Sequence, residues 1–98
     1  MRQTKQVSFY VAETQSYVVD QQEILHLSIR KKLMSLIADH IQKKYFTQME
    51  VAMLCDISQP RISSLIRGHV NQFSIDSLVD IAGALGLVVN MNVLYEER

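Results

Sequence analysis

Five side chains between positions 59 and 64 are of the kind that reads a hydrogen-bonding surface. Gln59 carries an amide that donates and accepts, and Arg61 a planar fork of donors. Ser63 and Ser64 are short enough to let a backbone come close, and Pro60 stiffens the first turn without an N–H. In the major groove of DNA a Gln amide can pair bidentately with adenine and an Arg guanidinium with guanine. The spacing is helical, because Ile62, Leu65 and Ile66 form a narrow apolar stripe that leaves the other five outside it. A surface helix that keeps Gln and Ser for capping alone would look the same, and on composition both readings stand.

Other residues capable of chemistry are scattered. His26, His40 and His69 have neither a His-x-x-x-His spacing nor the carboxylate-rich surroundings of a metal site. Cys55, the one cysteine, continues the apolar face of its segment, as a buried unreactive thiol does. No Gly-rich phosphate loop and no Gly-x-Ser-x-Gly elbow occurs. The sequence therefore predicts no enzyme, no metal and no cofactor. Met49 and Met53 are either exposed gap-fillers or a soft protein-binding patch.

The elements that must carry these residues follow from periodicity and caps. Over residues 22–45, Leu25, Ile29, Leu33, Leu36, Ile37 and Ile41 recur at spacings of three and four, which predicts a long amphipathic helix. Thr47 followed by Glu50 fits a capping box, so a second helix starts there and runs to about Cys55 with Val51, Ala52 and Cys55 inward. Ser58 caps a third helix with Pro60 in its first turn and Gly68 at its end. Ser74 caps a fourth, whose Leu78, Ile81, Ala82 and Leu85 form the apolar stripe until Gly86. Val7, Phe9 and Val11 alternate as in a strand, with a second short strand expected at residues 17–19, and residues 87–95 read as a tail strand. The second and third helices, joined by a short turn around Asp56 and Ile57, have the dimensions of a helix-turn-helix.

A chain of 98 residues with 48% hydrophobic content suits one domain and one modest core. No stretch reaches the roughly 18 apolar residues of a membrane span, nor does the N-terminus hold a signal-peptide core, so a cytoplasmic protein is expected. Net charge is zero, yet residues 1–24 sum to −1, residues 25–69 to +4 and residues 70–98 to −3. A basic middle between acidic flanks can steer a polyanion without a basic pI, although a merely solvated surface would share that tally.

The runs Phe46-Thr47-Gln48-Met49-Glu50-Val51-Ala52, Ile57-Ser58-Gln59-Pro60-Arg61-Ile62-Ser63-Ser64-Leu65-Ile66-Arg67-Gly68 and Phe73-Ser74-Ile75-Asp76-Ser77-Leu78 come in a specific order with specific gaps. Together they resemble the XRE-type (Cro and phage-repressor-like) helix-turn-helix family over about residues 25–90, and within it the HigA-like antitoxins. The resemblance implies a mainly α fold with a four- to five-helix DNA-binding domain; joined to the alternation at either end, it gives a helix-turn-helix domain over residues 22–98, with short β-strands in an N-terminal head (residues 1–21) and in the C-terminal tail. It implies a homodimeric repressor on a palindromic double-stranded operator, with Gln48 on the DNA backbone or toward bases, Gln59, Pro60, Arg61 and Ser64 along the major groove, and Arg67 near phosphate; Ser63 shares that face. It also implies the antitoxin of a type II toxin-antitoxin pair that neutralises a small RelE/HigB-like ribonuclease toxin; a stand-alone phage-repressor-like regulator is the alternative.

Two departures matter. Asp56 stands where the family usually has a turn Gly, so a strained or rebuilt turn is expected. The head lies outside the family pattern: Val7, Phe9 and Val11 either clamp the toxin by strand addition or fold back on their own domain, against the tail strand. Val89, Met91, Val93 and Tyr95 share one face of the tail strand and are the expected dimerisation surface, since an apolar edge left open invites aggregation. A third possibility, a helix-turn-helix retained for protein contacts alone, requires Gln59 and Arg61 to be covered in the dimer.

Overall fold

Helices begin where a short hydroxyl side chain can replace a missing turn, and this chain does so three times. The computed structural model describes the backbone of residues 6–12 and 19–94 and the side chains of residues 24–92. Its elements are β1 (Gln6–Ala12), α1 (Val19–Lys43), α2 (Gln48–Cys55), α3 (Gln59–Ile66), a single 3-10 turn (Val70–Gln72), α4 (Ile75–Ala84) and β2 (Val88–Leu94). Thr47 Oγ1 accepts from the Glu50 N–H at 3.1 Å while Glu50 Oε1 accepts from the Thr47 N–H at 3.1 Å, the reciprocal box expected at the start of α2. Ser58 Oγ accepts from the Arg61 N–H at 3.3 Å to open α3, with Pro60 in the first turn. Ser74 and Ser77 form a second reciprocal box that opens α4.

The four described helices also end alike. A residue in the left-handed region follows each: Tyr45 (φ 57°), Asp56 (φ 55°), Gly68 (φ 81°) and Gly86 (φ 84°). The next N–H then reaches back five residues, from Phe46 to the Ile41 carbonyl at 3.1 Å, Ile57 to Ala52 at 3.1 Å, His69 to Ser64 at 3.0 Å and Leu87 to Ala82 at 2.9 Å. These are Schellman closures, which satisfy carbonyls that the helix itself leaves open. Phe46, Ile57 and Leu87 then pack onto the core. Glycine adopts the left-handed conformation without a Cβ clash, whereas an L side chain gives up roughly 1–2 kcal/mol there. Asp56 nevertheless holds it, so the α2–α3 turn is neither rebuilt nor lengthened. Tyr45 holds it too, so α1 stops at Lys43, two residues short of the boundary its periodicity suggests.

The core lies between α1 and the other helices. Ile29, Leu33, Ile37 and Ile41 of α1 are buried against Val51, Ala52, Ile62, Leu65, Leu78, Ile81 and Ala82, and Met34, Phe73 and Leu87 join them. Each fully buried aliphatic side chain contributes about 1.5–3 kcal/mol, enough for the stripe on one helix to fix its rotation. His40 is buried as well, and its Nε2 lies 3.0 Å from the Leu85 carbonyl, joining α1 to the end of α4. Among the described residues no buried side-chain nitrogen or oxygen lacks a partner.

β1 and β2 form a two-stranded parallel sheet in the register Gln6 opposite Val88 through Ala12 opposite Leu94. Parallel strands need a long crossover, and here the whole helical set supplies it. The backbone of the head thus folds back on the tail strand. The second head strand expected at residues 17–19 is not formed at its last position, since Val19 begins α1; residues 17 and 18 lie outside the described residues. Residues 19–21, assigned to the head by sequence, are helical.

Candidate nucleic-acid interface

α2 and α3 have eight residues each and are joined by residues 56–58. Ile62 and Leu65 bury one side of α3 in the core. At 3.6 residues per turn, Pro60, Ser63, Ser64 and Arg67 fall on the opposite side, Gln59 and Ile66 on one flank and Arg61 on the other. Gln59, Pro60 and Arg67 are exposed, while Ser63 and Ser64 are half-buried and small. The α3 sequence QPRISSLI contains no acidic residue. Its outward face therefore offers hydrogen-bonding groups close to the backbone and one cation at its end. Gln48 occupies the first position of α2, half-buried, where helical N–H groups lack intrahelical partners.

Arg61 differs from the rest of this set. Its guanidinium carbon lies 4.4 Å from the centroid of the Phe73 ring, and Nη1 donates to the Gln72 carbonyl at 3.1 Å. From α1, Arg30 Nη1 donates to the carbonyls of Val70 at 3.2 Å and Phe73 at 3.4 Å. Two arginines thus close on the 3-10 turn. Sequence reasoning overlooked Arg30, because the bonds join residues 40 and 43 positions apart and no local period signals them.

The basic middle segment resolves into several kinds of residue. Arg30 and Arg61 are engaged internally, and Lys43 Nζ pairs with Asp39 Oδ2 at 3.0 Å, an exposed pair worth little. Lys31, Lys32, Lys44 and Arg67 are exposed, and Lys31 and Arg67 both line the open groove between α1 and the end of α3. Two exposed cations therefore stand by the end of the candidate face, with Asp39, paired to Lys43, in the same groove.

The two remaining sets of expected site residues come together in the sheet. In the register, Val7 lies opposite Val89, Phe9 opposite Met91 and Val11 opposite Val93, so the expected toxin-binding and dimerisation residues occupy paired positions. Val89 is half-buried against the core and Met91 is exposed, so one line of strand positions starts on the core and runs beyond it. The side chains of Val7, Phe9, Val11 and Val93, and Tyr95 altogether, lie outside the described residues.

Burial pushes the Cys55 thiol pKa up, and Sγ lies 4.0 Å from the Ile81 carbonyl. A nucleophilic thiolate needs the opposite shift. Among the described residues no three His, Cys, Asp or Glu side chains are grouped to hold a metal ion, and no helix is long and apolar enough to cross a membrane.

A family model described as a helix-turn-helix domain matches residues 17–94, which takes in α1 to α4 and β2 and leaves β1 outside. Among curated proteins no relative matches the chain. With most of its length inside that match, and two capped eight-residue helices closed by one left-handed turn at its centre, the chain belongs to the helix-turn-helix domain family.

Proposed function

We propose that the chain is a sequence-specific transcriptional repressor that binds a palindromic operator as a homodimer. The observation that carries this reading is the outward face of α3: Pro60, Ser63, Ser64 and Arg67, flanked by Gln59, with no carboxylate on the helix. On a groove-bound α3, Gln59 and Ser64 read base edges, Ser63 and Pro60 allow close approach, and Arg67 neutralises phosphate, with Gln48 on the backbone from α2. Met91, exposed on β2, and the strand edge that β1 leaves open favour pairing with a second copy. Selection from a random duplex library tests the reading. Enrichment of an inverted repeat supports it, and recovery of no preferred sequence removes it.

A finer reading makes the protein the antitoxin of a toxin-antitoxin pair that represses its own operon. Its support is the resemblance to HigA-like sequences and the head, which a stand-alone repressor does not need. β1 has an outer edge to which a RelE/HigB-like toxin could add a strand through the segment of Val7, Phe9 and Val11. Co-expression with the product of a neighbouring reading frame tests this: restored growth supports the antitoxin, whereas unaffected toxicity favours the stand-alone regulator.

A further inference from the structure

We infer that Arg61 is a positioning residue of the DNA-binding face rather than a reader of bases, its guanidinium fixing α3 to the 3-10 turn that follows it. The inference rests on the DNA-binding reading above and changes how the face is built. Three observations carry it. Arg61 lies on a flank of α3, roughly a quarter turn from the line through Pro60, Ser64 and Arg67. Its cation stacks on Phe73, a ring only 2% exposed, and its Nη1 is bonded to the Gln72 carbonyl. Arg30 grips the same turn from α1 through the Val70 and Phe73 carbonyls.

To reach guanine, Arg61 would have to leave both the ring and the carbonyl. Remaining in place does something a short 3-10 turn cannot do alone, since such turns have poor hydrogen-bond geometry and give way readily. With Arg61 on one side and Arg30 on the other, the chain between α3 and α4 is tied to both α3 and α1. These ties resist rolling of α3 about its axis against α4. Its outward face meets the groove in one orientation, and the ordering cost of binding falls.

The test uses the full chain with Arg61→Ala, Arg61→Met and Phe73→Leu, together with the double variant Arg61→Ala/Phe73→Leu. Two quantities are read: affinity for operator duplexes changed one base pair at a time, and amide hydrogen exchange at Gln72 and Phe73. Arg61→Ala is expected to weaken every duplex alike, by about threefold to tenfold, with preference at each base pair kept and both amides exchanging faster. Arg61→Met, which still covers the ring, recovers part of that loss. The double variant binds no more weakly than the worse single one, because both remove the same contact. Loss of preference confined to one base pair, additive losses, or unchanged exchange in Arg61→Ala would each overturn the inference. A wild-type chain that binds no duplex would remove the DNA reading instead, and the exchange rates would still decide whether Arg61 holds the turn.

Discussion

α2 and α3 are built to the same plan and face the solvent with opposite chemistry. Each has eight residues, opens on a hydroxyl cap, and ends in a left-handed residue whose successor closes the helix. Each buries two side chains, Val51 and Ala52 in one and Ile62 and Leu65 in the other. Outward, α2 exposes Met49 (61%), Met53 (77%) and Leu54 (52%) beside Glu50, while α3 presents Gln59, Pro60, Ser63, Ser64 and Arg67, with Ile66 of the expected apolar stripe exposed on the flank beside Gln59. Since caps, closures and inward residues suffice to build both helices, the outward residues are free to differ. In α3 most of them hydrogen-bond, and the serines are small, as the proposed groove contact requires. The half of each helix that the fold does not use is thus where this motif can carry function.

If that division holds, substitutions sort by face. Ile62→Ala, on the inward side of α3, should cost about 2–5 kcal/mol in denaturant unfolding and take DNA binding with it, since a cavity opens where α3 meets the core. Gln59→Ala, on the outward flank, should leave the melting curve in place and cost about 1–3 kcal/mol on the preferred duplex, with relaxed choice at one base pair in a gel-shift panel. A loss spread evenly over all duplexes would remove Gln59 from the reading set. The two closures should respond with opposite sign. Asp56→Gly relieves a left-handed L residue and should raise stability by about 0.5–1 kcal/mol, while Gly68→Ala, whose added Cβ meets no atom within 4 Å, should lower it by about 1 kcal/mol through backbone strain alone. Thermal melts would resolve both, at about 4–8 °C per kcal/mol for a domain of this size. The smallest effect belongs to the outward side of α2. Met53→Ser should shift stability by no more than about 0.5 kcal/mol and leave operator affinity unchanged, and a clear loss of DNA binding would break the contrast between the helices.

The caps were legible because their chemistry sits at fixed offsets: Thr47 to Glu50, Ser58 to Pro60, and Ser74 at the head of an apolar stripe. Gly68 and Gly86 announced two helix ends for the same reason. The end of α2 near Cys55 follows from the next start at Ser58 rather than from Asp56 itself, and Tyr45 gives no sign of the end of α1, although Phe46 and Ile57, which follow the two left-handed residues, both pack on the core. Val18 and Val19 look like strand by propensity, but Val19 begins α1, since the β preference of a single β-branched residue is weak and depends on context. The strand character of residues 6–12 was legible from alternation, whereas its parallel register on β2 rests on pairing across the whole chain, which no local period reports. Of the candidate face, the outward residues of α3 could be read from one helical stripe. The engagement of Arg61 by Phe73 could not, since it depends on how the turn after α3 folds back.

The central claim is that the outward side of α3, and not that of α2, meets DNA. Backbone and side-chain chemical-shift mapping by NMR, with the full chain titrated with its selected duplex at fixed salt, tests it most directly. Shifts are expected to concentrate at Gln48, Gln59, Ser63, Ser64 and Arg67, with the methyl groups of Met53 and Leu54 unmoved. Shifts centred on Met53 and Leu54 with the α3 amides silent would contradict it.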